Sequence, residues 1–420
     1  MNEVEANRQV EARKEAFSMP VESIDPATAE YFFDDTIGHY FERLRRDDPV
    51  HFCNSSVWGP FWSVTRFEDI MHVDTNHQIF SSDWSNGGIT LFNVPEKEDR
   101  LQMFIAMDPP EHERQRAAVS PVFAPGNLSK MENLIRERTG KLLDGLPRGE
   151  TFDWVDLVSY ELTSLMLATL LDVPIEDRRL LAHWSDVATS NKLADPNAMS
   201  PEEALAELDK MVLYFQDLWK ERAQQDAKQD LLSMLAHHPD TRNMTSKELK
   251  GNLTLLIVGG NDTTRHSMTG SFLALCQNQL EWAKLRASPG LVDTLVPEIV
   301  RWQTPLAHMR RTAIQDTEIG GKKIRAGEKV VMWYISGNRD ESEIPNASQF
   351  IIDRPRARHH MAYGFGIHRC LGNRLAEIQL RVLWEEMLKR FSRIEVVSPP
   401  VRLRSVFVRG FSQLLVRIPV

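Results

Sequence analysis

The chain has 420 residues, 42% apolar and 26% charged, a balance that suits a large globular protein. Its formal net charge of −9 argues against a general nucleic-acid binder, whose footprint is a basic field. Three cysteines, Cys53, Cys276 and Cys370, are too few and too scattered for a disulfide framework, and without a CxxC pair they offer no structural zinc site.

The first 20 residues are charged throughout and hold no apolar core of the length an export signal needs. They read as a loose arm or an irregular helix, the start of an N-terminal arm over residues 1–34. From Val50 to Phe80, β-type runs broken by Gly59-Pro60 and followed by a short helical pattern predict two strands of a small sheet. Ser81–Met107 has glycines, a proline and no sustained period, which predicts a long irregular loop. From Pro110 the pattern is helical almost to Gln303. A β-rich interval follows over 306–335, with Gly320-Gly321 as its hairpin turn. An irregular stretch then leads into a glycine-rich loop and one long helix, and strands close the chain over 396–420. Apolar runs such as LTLLIV at 253–258 are far short of the roughly 20 residues needed to span a bilayer. The fold class expected is mainly α with small β-sheets, in a soluble, cytoplasmic protein.

Four stretches carry chemistry. In "YGFGIHRCLG", three glycines (Gly364, Gly366, Gly372) surround Cys370 just before a helix, where negative charge is favoured. The residues alone leave three readings: a buried free thiol, a nucleophile paired with His368, or a thiolate ligand to haem iron. In "LLIVGGNDTTRHS", Gly259 and Gly260 each cost a helix about 1 kcal/mol relative to alanine. Beside Asp262, Thr263 and Thr264 they make room for a ligand or for a neighbouring helix; the lysine of a phosphate loop is missing. In "EIVR", Glu298 and Arg301 lie three apart and share a helix face. In "DPPEHERQR", His112 and Arg116 lie four apart and can reach one anionic group.

In order and spacing these stretches resemble one family, the cytochromes P450, from about Asp35 to the C-terminus. The resemblance implies a single P450 domain over 35–420, its long central helix over the haem and a minor β-rich region near the N-terminus. It makes Cys370 the metal ligand, the proximal thiolate of haem b. His112, Arg116, Arg311 and His368 stand where the family binds the haem carboxylates, and Gly259, Tyr363, Gly364 and Gly372 lie against the macrocycle. Glu298 and Arg301 become scaffold for the cysteine loop. Tyr363 departs from the family's phenylalanine. The third partner of Glu298–Arg301 is open between Gln349 and Arg354.

The reaction implied is insertion of one oxygen atom of O2 into an unactivated C–H bond, with a kink at Gly259-Gly260 and with Asp262 and Thr263 delivering protons. His266 either pairs with Asp262 or faces the surface. Electrons come from NAD(P)H through a ferredoxin reductase and a ferredoxin, for which Arg116, Arg369 and Arg374 offer a docking face. Longer stretches resemble the soluble bacterial enzymes that hydroxylate terminal carbons of alkanes and fatty acids. The family's pocket positions then hold Ile89, Leu91 and Phe92 in the loop and Ile257 and Val258 on the central helix. Leu306, Met309, Val406 and Phe407 complete them. A terpenoid or sterol hydroxylase differs only in pocket shape. A peroxide-driven peroxygenase, or a haem-thiolate sensor, has no use for the Asp262–Thr263 pair.

Overall fold

The computed structural model describes residues 3–55, 57–92, 94 and 100–420. The expected loop at Ser81–Met107 therefore lies partly outside the described residues, at 93 and 95–99, as do the first two residues of the arm.

The N-terminal segment forms a regular helix, Glu3–Ser18, where a loose or irregular one was expected. Its order comes from tertiary packing: Ala16 is fully buried and joins Ile24, Ala27, Phe32 and Trp333 in one cluster. Charge fastens the same end of the chain to the other. Asp35 pairs with Arg402 at 2.7 Å and Arg409 at 3.0 Å, and Glu30 with Arg404 at 3.2 Å.

The central helix, Ser246–Gln277, has 32 residues and so extends about 48 Å. It begins at a capping box in which Thr245 and Glu248 satisfy each other's backbone N–H groups. Two glycines let neighbours approach closely. A Cβ on Gly251 would stand 2.2 Å from the Gln102 carbonyl, and one on Gly270 would stand 2.1 Å from the Gln303 side chain. Helices Arg178–Thr189, Glu161–Leu171, Val292–Gln303 and Asn373–Arg390 pack around it.

Strands Val50–Ser55, Gly59–Val64, Lys329–Met332, Met309–Ala313 and Phe80–Ser81 lie side by side in that order. All pairings are antiparallel except that of Gly59–Val64 with Lys329–Met332. The hairpin at Gly320-Gly321 joins Thr317–Ile319 to Lys322–Ile324 as expected. Two local readings need correction. Thr151–Asp153, inside the stretch read as helical, is a strand because Leu415–Arg417 pairs with it. Tyr334–Gly337, read as the end of a strand run, is a turn of helix. Among the described residues no helix is long and apolar enough to cross a membrane.

Behind the cysteine loop lies a buried charge cluster. Both Glu298 oxygens accept from Arg301 at 2.7 Å, and Arg354 Nε donates to Glu298 Oε2 at 3.0 Å. Arg354 is thus the third partner. Gln349 contributes only its carbonyl, which accepts from Arg301 and Arg354. Arg301 also donates to the Asn338 and Ala347 carbonyls, so this guanidinium ties together the irregular chain that leads to the loop.

Candidate active site

A cavity of about 420 Å³ lies between the central helix and the cysteine loop, and Cys370 opens onto it. The loop owes its shape to two left-handed glycines, Gly364 (φ +66°) and Gly366 (φ +63°). The close neighbour that demands them is Asp74. A Cβ would stand 3.1 Å from its Oδ2 at Gly364 and 2.5 Å from its carbonyl oxygen at Gly366. Asp74 itself is buried and had no sequence signal. It accepts at 2.8 Å from Arg311 Nη2, from the Tyr334 hydroxyl and from the Phe365 N–H.

The Cys370 N–H donates to the Tyr363 carbonyl at 2.8 Å, closing the loop. Burial pushes the thiol up; the Gly372 N–H, the charges of Arg116 and Arg369 and the Asn373 N–H pull it down. Those groups favour a thiolate once a cation faces the sulfur. Tyr363 keeps its ring on the cavity wall, and burial holds its hydroxyl far above the usual range, so it stays neutral.

Beside the sulfur, His112 and His368 lie edge to face with ring centroids 4.3 Å apart. Both are buried, and none of their four ring nitrogens has a hydrogen-bond partner. Burial first, then neighbouring positive groups, lowers His112 to about 4 and His368 to about 2. Orphaned ring nitrogens at such depth are costly, and Arg116 and Arg311 line the cavity next to them. This donor set fits a buried group bearing carboxylates, and with the Cys370 thiol it fits a haem. Arg311 is already held by Asp74 on one side, which fixes its direction.

On the opposite wall the two glycines of the central helix separate in role. A Cβ on Gly259 would meet nothing within 4 Å, so this position opens on the cavity; one on Gly260 would touch Leu167 at 3.0 Å, a packing contact. Across Gly259-Gly260, where a kink was expected, the chain stays α-helical, and the Thr263 hydroxyl donates to the Gly259 carbonyl at 3.0 Å. Asp262 is buried and accepts from Ser185 at 2.8 Å, Thr189 at 2.9 Å and Arg265 at 2.7 Å. Burial raises its pKa against the pull of Arg265. Arg265 continues to Asp186 at 2.5 Å, whose side chain is half exposed, so a polar chain links Asp262 to solvent. His266 does neither thing expected of it. It is fully buried, its Nδ1 accepts from the Phe411 N–H, and its ring rests on Gly410.

Of the nine expected pocket residues, Ile89, Phe92, Val258, Leu306, Met309 and Phe407 line the cavity. Leu91 and Val406 instead pack in the cluster around Trp333, and Ile257 packs with Leu253 and Leu256. Each is the immediate neighbour of a lining residue, and neighbours in extended chain or helix point different ways. Leu255 also lines the cavity, and the i, i+3, i+4 stripe Leu255–Val258–Gly259 is the signal for it.

Comparison with known proteins supplies the family. The Cytochrome P450 family model matches residues 286–410, which hold Glu298, Arg301 and Cys370. Linalool 8-monooxygenase of Pseudomonas putida is 38% identical over 383 residues, 89% of this chain and 93% of its own. The methyl-branched lipid omega-hydroxylase of Mycobacterium tuberculosis is 30% identical, covering 94% and 95% of the two chains. The solved structure of CYP153D17 from Sphingomonas sp. PAMC 26605 shares 45% identity and a TM-score of 0.89, covering 94% and 98%. Identity of this order over nine-tenths of the chain places the protein in the cytochrome P450 family of monooxygenases.

Proposed function

We propose that this P450 hydroxylates the terminal methyl carbon of medium-chain alkanes or fatty acids in the cytoplasm. Electrons reach it from NAD(P)H through a ferredoxin and its reductase. The observation that carries the substrate is the cavity wall: Ile89, Phe92, Leu255, Val258, Leu306 and Met309 present apolar surface above Cys370. Each CH₂ buried there contributes about 0.8 kcal/mol, so affinity rises with chain length until the cavity is full. The haem, when bound, supplies the activation of dioxygen that lets one oxygen atom enter a C–H bond. Cys370 would ligate it, and His112, His368, Arg116 and Arg311 would bind its carboxylates.

The other side chains exclude water and move protons. The apolar wall keeps bulk water from the reacting carbon. Thr263 holds a hydroxyl at the open face of Gly259, and Asp262, its carboxyl pKa raised by burial, carries protons toward it while Arg265 and Asp186 anchor it at the solvent side. Arg369 and Arg374 are exposed near Cys370, which supports a docking face for an acidic ferredoxin. Thr263→Ala is expected to bind haem and substrate and consume NAD(P)H while releasing more peroxide per product formed. Asp262→Asn slows turnover at the same step. Unchanged coupling in both variants transfers support to the peroxygenase reading.

The relative named as a lipid omega-hydroxylase supports the terminal position. The linalool monooxygenase favours a second reading, an acyclic terpenoid alcohol as substrate. Product analysis on octane and decanoic acid decides the position of attack. Primary C–H bonds are intrinsically stronger than their methylene neighbours, so only a confining channel yields terminal alcohol. Wild type should give mostly terminal product and Leu306→Ala a mixture; mostly subterminal product from wild type rules the terminal reading out.

A further inference from the structure

Three arginines line the cavity, Arg100, Arg116 and Arg311, and on the proposed function the haem carboxylates would account for the last two. Arg100 is held by backbone alone. Its Nε donates to the Val94 carbonyl at 3.0 Å, and its Nη1 donates to the carbonyls of Ser85 at 3.0 Å and Trp84 at 3.3 Å. These contacts aim the guanidinium, and among the described residues, which leave out 95–99 beside it, no carboxylate pairs with it. Among the described residues nothing accepts from its second terminal nitrogen. The wall beside it is apolar, formed by Phe92, Leu101 and the Trp84 ring. The surroundings are cationic as well: Arg310 is lowered to about 10 by burial and the charge of Arg100, and Lys329 to about 8 by burial and the charge of Arg310. A charge on the wall of an apolar cavity costs free energy unless a counter-ion joins it.

We propose that Arg100 binds the carboxylate of a fatty-acid substrate, so that the enzyme selects medium-chain acids over alkanes of equal length. The assignment rests on the chain-substrate reading above. A guanidinium fork binds a carboxylate by two parallel hydrogen bonds, which fixes the head of the chain and leaves its tail free to extend along the apolar wall. A haem carboxylate has the same chemistry, and the experiment separates the two sources.

Spin-state titration of the holoenzyme with decanoate, methyl decanoate and decane gives three dissociation constants. Wild type should bind decanoate more tightly than its ester or decane. Arg100→Gln should reduce the ratio of the decane to the decanoate constant about tenfold or more, the value of a charge-assisted hydrogen bond, and Arg100→Lys should recover part of it. Arg100→Glu should prefer decyltrimethylammonium to decanoate. An unchanged ratio in Arg100→Gln, or no reversal in Arg100→Glu, overturns the assignment. So does faster haem transfer from Arg100→Gln to apomyoglobin with the ratio unchanged, which would place Arg100 on the cofactor. If wild type binds none of the three compounds, the chain-substrate reading itself falls; intact binding with an unchanged ratio removes Arg100 alone.

Discussion

Replacing Cys370 by serine is expected to abolish the thiolate signature in the carbon monoxide spectrum of the reduced protein and to cut monooxygenase turnover more than about a hundredfold. The fold should largely survive, because the loop is shaped by backbone contacts that serine retains. The Cys370 N–H to Tyr363 carbonyl bond does not involve the sulfur, and Gly364 and Gly366 take their form from Asp74. Far-ultraviolet circular dichroism should therefore match wild type while the spectrum changes. A serine variant that kept the thiolate spectrum would move the metal ligand away from Cys370.

Glu298→Gln carries the largest expected cost in stability. The carboxylate is fully buried and is, among the described residues, the only acidic partner of Arg301 and Arg354, both also buried. Removing its charge leaves two guanidinium groups uncompensated, a loss of about 3–5 kcal/mol. Thermal unfolding should shift down sharply, and haem retention should fall with it, because Arg301 ties down the chain before the loop. Gln349→Ala should change stability by less than about 0.5 kcal/mol, since only the carbonyl of that exposed residue is used. Equal melting temperatures for Glu298→Gln and wild type would show that the cluster does not hold the loop.

The contrast between Gln349 and Arg354 shows where sequence reading stops. Both stood near the right place, and only the path of the irregular chain decides which side chain turns inward. The loop, the central helix and the Glu298–Arg301 pair were legible because each lies within one continuous stretch at a fixed spacing. Six of the nine expected pocket residues line the cavity, and the three that do not, Leu91, Ile257 and Val406, are next-door neighbours of Phe92, Val258 and Phe407, which were expected beside them and do. Helix phase settles the second of these and side-chain alternation the others, and both depend on knowing which face meets the cavity. Asp74 was invisible for a different reason. Its partners Arg311, Tyr334 and Phe365 are 237, 260 and 291 residues away, so no local pattern connects them. His266 failed in the same way, since the strand segment that buries it, Gly410–Phe411, comes from the far end of the chain.

The ion pairs from Asp35 to Arg402 and Arg409 have a consequence in time. Asp35 and Arg402 are 367 residues apart, and a ribosome adding about 5–20 residues each second needs roughly 20 to 70 s between them. Throughout that interval the early segment waits for its partners. Trp333, around which Ala16, Ile24 and Phe32 gather, also emerges late in synthesis. The first forty residues therefore reach their final seat after nearly everything else has been made. A nascent chain stalled before residue 402 would leave this flank of the molecule open, a ready handle for chaperones and proteases.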